Sequence, residues 1–214
     1  MRLYLNKLLC GLSILLISNT AYSTNNTPTK EAAAKQTYPL SEIYIRDPYI
    51  LPDTKTKTYY MYRTASVEGK NGNKIGGVEV FKSKDLKTWE GPVQVFTVPE
   101  NNWITGNVWA PEVHAYNGKY YLFATLNSDI QWKKKQAGWA DYNFRGTQIF
   151  HADSPEGPFL PFDLLPHTPM DRMALDGTLW VENNTPYMIY CHEWVQIADG
   201  TMELVELKPD LSAP

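Results

Sequence analysis

A pattern about 65 residues long occurs three times in the sequence and constrains the fold more than any other feature. The copies open on residues 46–51, 109–115 and 175–181, and each continues through two runs rich in aromatic and β-branched residues. The first two copies close on turn-forming segments, residues 83–92 and 153–159. The third copy stops before its closing segment.

The runs within each copy are short and are separated by residues that favour tight turns, such as Asn117-Gly118, Asn183-Asn184 and Asp199-Gly200. This arrangement is typical of an antiparallel strand meander. Four such strands make one blade of a β-propeller, whereas a β-sandwich would not require repeats that match in the same order. The sequence therefore predicts an all-β propeller with about three blades present, the third lacking its last strand.

The start of the chain has the features of a secretory signal peptide. Arg2 and Lys7 precede an apolar run from Leu8 to Ile17, and Ala21-Tyr22-Ser23 provides small residues for cleavage. We predict a signal peptide at 1–23, a polar flexible leader at 24–38, and a partial propeller domain at 39–214. The protein is accordingly expected to be exported, to the periplasm or outside the cell, without a membrane anchor after cleavage.

Three blades are too few to close a propeller ring, and an open end would leave strand edges unpaired. We therefore expect the sequence to be part of a longer protein or a shortened gene product. An isolated three-blade form is expected to have little activity compared with a five-blade form.

Charge and cysteine content exclude several classes of function. The formal net charge is −3, and the basic residues are scattered apart from Lys133-Lys134-Lys135, so nucleic acid and anionic membranes are not expected partners. Removal of the signal peptide would leave Cys191 as the single cysteine, which excludes an internal disulfide. No Cys and His cluster has the spacing of a zinc site.

Two acidic residues occupy the same position in different repeats. Asp47 and Asp176 both stand where the innermost strand of a blade would begin, so a propeller would bring them to one mouth of its central channel. Each aspartate alone is also explained as a turn residue that bonds backbone N–H groups. The second repeat has Ala110 at this position, which indicates that the fold does not require an acid there. Paired carboxylates in one cleft would have different pKa values, as acid and base catalysis needs.

A third acid, Glu193, ends an apolar run that returns toward the same face. An unpartnered carboxylate would be costly beside Trp194 at the end of such a strand. Because its strand returns to the face where Asp176 begins the inner strand, Glu193 is expected close to Asp176. Glu112 and His114 are interpreted as supporting or strand residues.

At these motifs the sequence resembles glycoside hydrolase family 43, whose members are five-bladed propellers that act on arabinose- and xylose-containing glycans. The resemblance covers about residues 41–214. Its matching segments are Arg46-Asp47-Pro48-Tyr49-Ile50, Trp109-Ala110-Pro111-Glu112-Val113, Asp153-Ser154-Pro155-Glu156-Gly157-Pro158-Phe159 and Leu175-Asp176-Gly177-Thr178. Cys191-His192-Glu193-Trp194 is similar to an element of some branches.

The resemblance implies hydrolysis of α-L-arabinofuranosides or β-D-xylosides in plant-type glycans, with inversion of configuration. It implies that Asp47 is the general base and that Asp176 raises the pKa of the acid and orients it. Many members carry the acid in a Glu-Gly-Pro element of the fourth blade. Glu156-Gly157-Pro158 is similar but closes the second blade at its outer edge, so it is not assigned this role. Glu193 is the candidate acid because its strand returns to the face that carries Asp176 and because Cys191-His192-Glu193-Trp194 is similar to the branch element.

Four further residues are expected to bind an oligo- or polysaccharide substrate. Trp109, Trp194 and Trp103 would bound the sugar pocket, and Arg145 would reach a hydroxyl group. The resemblance implies no organic cofactor and no metal in this chain. Some members hold a central calcium, which a longer form with the later blades would be able to bind.

Two other functions remain open at this stage. Fructan-hydrolysing five-bladed glycosidases have a similar layout, but they carry Asn-Asp-Pro-Asn-Gly where this sequence has Pro48-Tyr49-Ile50 after Asp47. A propeller that binds glycans without catalysis is the alternative from a different class. A purely structural role would leave the paired acids unexplained.

Overall fold

A computed structural model of the chain describes residues 36–68, 72–99, 102–104, 107–134 and 137–214. The predicted signal peptide and nearly all of the predicted leader lie outside these residues, so both stay predictions. The compact unit that contains the strands spans Lys35–Pro214. Within the described ranges, no helix has the length and apolar character needed to cross a bilayer.

Strands dominate the described part of the chain, and a short 3₁₀ turn at Leu40–Glu42 follows the first of them. The strands are β1 Thr37–Pro39, β2 Tyr49–Asp53, β3 Thr58–Glu68, β4 Lys74–Ser83, β5 Thr88–Thr97, β6 Val108–Tyr116, β7 Lys119–Gln131, β8 Asn143–Ala152, β9 Leu160–Pro161, β10 Ala174–Glu182, β11 Thr185–His192 and β12 Thr201–Glu206.

These strands form three antiparallel sheets, one for each sequence repeat. Their orders are β1-β5-β4-β3-β2, β6-β7-β8-β9 and β10-β11-β12. Each sheet is a meander that begins at an inner strand (β2, β6 or β10) and proceeds outward. The predicted all-β class and the three-stranded third unit are confirmed.

The first strand, β1, shows that the fold begins before the predicted boundary at residue 39. Thr37 and Tyr38 were expected in the flexible leader, but they pair with Glu90 and Trp89 on β5. The outer edge of β5 offers unpaired backbone groups that an extended segment can satisfy. The Tyr38 ring also meets Phe81 edge to face, with ring centroids 6.1 Å apart.

The predicted tight turns connect the inner hairpins. Asn117 and Gly118 join β6 to β7 with φ values of 46° and 80°, and Asn183 and Asn184 join β10 to β11 with 50° and 65°. Two consecutive residues with positive φ match the twist of a two-residue hairpin, which explains the preference for Asn and Gly at these positions.

The two larger hydrophobic clusters lie between neighbouring sheets, and a smaller one of Met61, Phe81 and Trp89 belongs to the first sheet alone. One cluster joins the first two sheets, where the Phe96 and Phe150 rings lie with centroids 4.3 Å apart. A second joins the second and third sheets and includes Phe123, Met188 and Leu211. The packing between sheets fixes the inner strands relative to one another, and it thereby positions the site at their ends.

Candidate functional site

One residue at or near the start of each inner strand adopts the same unusual backbone conformation in all three sheets. Asp47, Ala110 and Asp176 have φ values of 48°, 39° and 55°, the left-handed region that most residues avoid. The pairing register of β6 shifts between Trp109 and Glu112, and that of β10 shifts around Asp176 in the same way. The three positions are therefore structurally equivalent corners, as the repeat predicts.

Asp176 is held at its corner by hydrogen bonds from the main chain to the second sheet. Its N–H donates to Thr125 Oγ1 at 2.8 Å, and the N–H of Gly177 donates to Thr147 Oγ1 at 3.1 Å. A Cβ on Gly177 would lie 2.6 Å from Thr147 Cγ2 and 2.9 Å from Met188 Sδ. Glycine is thus required for the third sheet to approach the second this closely.

The Asp176 carboxyl is accessible to solvent, but it does not behave as an isolated surface acid. Desolvation by the surrounding protein raises its pKa, and the negative charges of Asp47 and Glu112 raise it further. The charge of the aspartate in the first sheet therefore acts on the aspartate in the third sheet.

Asp47 is the most open of the three acids. Its exposed carboxylate lies 3.2 Å from the guanidinium of Arg46, which is more exposed still. An ion pair of this kind contributes little to stability and constrains the side chain weakly. Asp47 is therefore free to contact a water molecule or a ligand at the mouth of the channel.

Glu193 is buried immediately after β11, and the main chain fixes its position. Its N–H donates to the Met173 carbonyl at 2.9 Å, and its own carbonyl accepts from the N–H groups of Gln196 and Ile197. The carboxyl group lies beside Arg145, with 3.5 Å between Oε1 and Nη1 and 3.4 Å between Oε2 and Nε.

The pKa of Glu193 is raised overall. Burial is the main cause, the Arg145 guanidinium opposes it, and the charge of Asp176 adds to the rise. Burial raises the pKa of the Cys191 thiol on β11, and the charges of Asp176 and Glu193 raise it further. The charges of Asp47, Asp176 and Glu193 thus form one interacting set.

Arg145 lies between Trp109 and the candidate acid. The side chain is buried, and its guanidinium carbon lies 5.0 Å from the centroid of the Trp109 ring. Nη2 donates to the Asp141 carbonyl at 3.4 Å, in addition to the ion pair with Glu193. Arg145 therefore acts on the candidate acid directly, and contact with a sugar hydroxyl stays a prediction.

The three predicted tryptophans lie in two kinds of place. Trp109 and Trp194 are 39% and 54% exposed and flank the Arg145–Glu193 pair. Trp103 instead packs on Phe144, with ring centroids 4.9 Å apart, and donates from Nε1 to Gln148 Oε1 at 3.2 Å. Its contacts are those of a core residue, and its role in substrate binding stays a prediction.

Trp139, which no sequence pattern indicated as a site residue, lies next to Trp194. The two rings are 5.9 Å apart between centroids, and Trp139 is 50% exposed. Together they line a cleft whose other walls include Lys133, Lys134, Tyr142 and Gln196. Trp139 lies in an irregular segment between β7 and β8, where no repeat pattern identifies it.

Glu112 and His114 connect the three sheets behind these acids. Glu112 Oε2 accepts from Thr178 Oγ1 at 2.7 Å and lies 3.0 Å from His114 Nε2. His114 Nδ1 lies 3.4 Å from the hydroxyl of Tyr49. The network supports the inner strands near Asp176.

Glu156, the residue of the similar Glu-Gly-Pro element, lies away from this set of acids. Its Oε2 accepts from Lys82 Nζ at 2.8 Å, between the outer parts of the first and second sheets. This ion pair gives the residue a structural partner.

Within the described ranges, no group of three or more His, Cys, Asp or Glu side chains is arranged to hold a metal ion. Main-chain carbonyls and water also supply oxygen ligands to calcium, so a central calcium in a longer form stays a prediction.

Comparisons with known proteins agree with this architecture. A sequence profile for Glycosyl hydrolases family 43 matches residues 36–213. An endo-arabinase structure from Bacteroides thetaiotaomicron VPI-5482 is similar with 36% identity and a TM-score of 0.65, and the match covers 82% of this chain and 55% of that one. An α-L-arabinofuranosidase structure from Lactobacillus brevis shares the fold at 22% identity and a TM-score of 0.55, over 76% of this chain and 49% of that one.

A shorter match joins the chain to the extracellular endo-α-(1→5)-L-arabinanase 1 of Bacillus subtilis (strain 168). It has 38% identity over 58 residues, which cover 24% of this chain and 18% of that protein. The chain thus spans about half the length of the solved structures that it matches. Because the profile covers most of the sequence, the chain belongs to family 43 of the glycosyl hydrolases, and its sheets are blades of that family's five-bladed propeller.

Proposed function

We propose that the protein hydrolyses O-glycosidic bonds of α-(1→5)-linked arabinan with inversion of configuration. The observation that carries this proposal is the buried Glu193 carboxyl, whose pKa is raised within a set of acids that includes Asp176 and Asp47. A raised pKa favours the protonated form of the carboxyl, which is the form that a general acid requires. The open Asp47 carboxylate on the same set of strand ends supplies the complementary base.

In this mechanism Asp47 accepts a proton from a water molecule as the water oxygen bonds to the anomeric carbon. The glycosidic C–O bond breaks at the same time, and Glu193 gives its proton to the departing oxygen. Inverting enzymes hold their two carboxyl groups about 6.5–9.5 Å apart so that this water fits between the base and the sugar.

Arg145 and Asp176 adjust the acid in opposite directions. The negative charge of Asp176 favours the protonated form of Glu193 before the reaction, as the direction of its effect on the pKa indicates. Arg145 favours the carboxylate that remains after proton transfer. A carboxyl with both neighbours can hold the proton and also release it, which suits an acid that acts in every cycle.

The choice of arabinan rests on relatives and on the shape of the site. The similar Bacteroides structure is named an endo-arabinase, and the Bacillus relative is an endo-α-(1→5)-L-arabinanase. The exposed Trp139 and Trp194 rings continue the site beyond Glu193, which suits a polymer longer than one sugar. Export belongs to the same proposal, supported by the signal-peptide pattern and by the extracellular relative.

The test is hydrolysis of linear α-(1→5)-arabinan by the five-blade form of the protein, which is also the parent for every variant below, with xylan and aryl β-xylosides as competing substrates. We expect arabinan to be cleaved fastest, and NMR of the first product to show the β-anomer. The variant Asp47→Asn should be inactive on arabinan, since asparagine tolerates the left-handed corner but cannot accept the proton. Faster cleavage of xylosides, or release of the α-anomer, would refute the substrate or the mechanism respectively.

A second prediction concerns the aromatic pair. Trp139→Ala should raise KM for arabinan about tenfold, because an aromatic face contributes about 1–1.5 kcal/mol to a contact of this kind. The kcat for arabinan and the KM for an aryl arabinofuranoside should stay unchanged. Trp180→Ala is the matched control, since Trp180 is as exposed (51%) but lies farther along β10. If Trp139→Ala raised KM equally for arabinan and for the aryl arabinofuranoside, a role in binding the polymer would be refuted.

A glycan-binding propeller without catalysis is the second candidate function. The exposed tryptophans favour it, because they would bind a polysaccharide whether or not the acids are active. Calorimetry with arabinan distinguishes the two functions. Binding without release of reducing ends, and unaffected by Asp47→Asn, would favour the non-catalytic function.

A further inference from the structure

His192 precedes the candidate acid and lies in a network of buried polar groups. It is the last residue of β11, and its side chain is almost completely enclosed. Nδ1 lies 3.0 Å from Glu203 Oε1 on β12, and Nε2 lies 2.9 Å from Gln196 Oε1 in the turn that follows Glu193. Both ring nitrogens therefore have an oxygen partner.

The orientation of the Gln196 amide is fixed by its other bonds. Its Oε1 accepts the N–H of Met173 at 2.5 Å, and its Nε2 donates to the Asp171 carbonyl at 2.8 Å. A flipped amide would place N–H against N–H at Met173 and lose both bonds. Since Gln196 Oε1 can only accept, His192 Nε2 has to carry a hydrogen.

Glu203 requires a hydrogen on the other ring nitrogen of His192, Nδ1. Its Oε2 accepts from the hydroxyl of Tyr190 at 2.7 Å and pairs with the guanidinium of Arg172. Its Oε1 faces His192 Nδ1 and the hydroxyl of Thr201, at 3.0 and 3.4 Å. A carboxylate paired with Arg172 is an acceptor, so His192 Nδ1 also has to donate.

We propose that His192 is held as an imidazolium and that it is a positioning residue for Glu193. An imidazole with hydrogens on both nitrogens is positively charged. Its two bonds tie β12 to the turn after Glu193, and Gln196 ties that turn to the segment before β10, which carries Asp176. The role in positioning rests on the proposed function, because it concerns the acid of that reaction.

The charged groups around His192 are consistent with this state. Glu203 faces it from β12, and Arg172, in the segment before β10, pairs with Glu203 and with Asp171. The Asp171 side chain is exposed, and its main-chain carbonyl accepts from Gln196. Glu193 is the next residue in the chain. Hydrogen bonds between a cation and a carboxylate are shorter and stronger than neutral ones, so the network holds the turn firmly.

The charge state is tested by ¹⁵N NMR of the parent protein, which needs no variant. At neutral pH both ring nitrogens of His192 should have the shifts and one-bond N–H couplings of an imidazolium. In Glu203→Gln the ring should become a neutral tautomer. A parent spectrum with hydrogen on a single ring nitrogen would overturn the proposal.

The positioning role is tested by rates on two substrates. Glu203→Gln should lower kcat for arabinan, whose leaving group needs protonation, by at least about tenfold, the size expected when a charge-assisted bond is lost. It should change the rate on a dinitrophenyl arabinofuranoside by less than about twofold, since that leaving group departs without a proton. The control is Glu206→Gln, an exposed residue of the same strand, which should change neither rate.

The outcomes separate the two proposals. An equal loss on both substrates would indicate a general structural effect and overturn the positioning role. A five-blade parent that hydrolyses neither substrate would refute the proposed function and the positioning role with it, while the NMR spectrum would still decide the charge of His192.

Discussion

Glu193→Gln is expected to lower the turnover of arabinan by about 10²–10⁴-fold, the usual contribution of a general acid. Glutamine keeps the shape of the side chain but has no proton to give to the leaving oxygen. On a dinitrophenyl arabinofuranoside, whose leaving group needs no proton, the same variant should retain most of the parent rate. Steady-state kinetics on the two substrates measures this difference directly.

The matched control for this variant is Glu156→Gln. Glu156 belongs to the Glu-Gly-Pro element and lies in an ion pair with Lys82 between the outer parts of two blades. Its removal should leave both rates near those of the parent, apart from a small change in stability. Loss of arabinan hydrolysis in Glu156→Gln, or equal losses on both substrates in Glu193→Gln, would remove Glu193 from the mechanism.

Asp176→Asn should have the second largest effect, in both rate and pH dependence. The charge of Asp176 raises the pKa of Glu193, so its removal should allow Glu193 to lose its proton at lower pH. The alkaline limb of kcat/KM, which reports the protonated acid, should therefore move to lower pH. The rate at the optimum should fall by about 10²-fold, the lower end of the range for acid and base catalysis.

Folding of the Asp176→Asn protein is checked separately by thermal unfolding. The pKa of Asp176 is raised in the folded protein, so its contribution to stability is present at acidic pH and lost as pH rises through the folded pKa. At neutral pH the uncharged asparagine should thus be at least as stable, and it tolerates the left-handed φ. Asp199→Asn is the control, because Asp199 is also left-handed and exposed. If the alkaline limb of kcat/KM did not move in Asp176→Asn, the effect of the Asp176 charge on the pKa of Glu193 would be refuted.

The fold could be predicted well because the repeat itself indicates where the strands and the turns lie. Turn residues with positive φ, such as Asn117 and Asn183, mark where each hairpin reverses, and the same order of runs in three copies predicts equivalent sheets. The boundary of the domain could not be predicted in this way. Strand β1 joins the sheet through backbone groups offered by β5, and polar residues such as Thr37 and Tyr38 carry no pattern that predicts such pairing.

The candidate site was only partly accessible from the sequence. The corner aspartates follow from the repeat, since equivalent positions in a propeller meet at one end of the channel. The ion pair of Arg145 with Glu193 does not, because the two residues come from different blades and no period relates them. Trp139 was missed for a similar reason, because its segment matches nothing in the other repeats.

The left-handed corner also has an implication for how a repeat protein acquires chemistry. The second blade keeps the backbone conformation with an alanine, at a cost of about 1–2 kcal/mol for a residue without a polar side chain. Conformation and charge are thus specified separately, the first by the strand-to-loop geometry and the second by a single side chain. A duplicated blade therefore already has a position with this backbone conformation, and a single substitution at that position determines whether it carries a carboxylate.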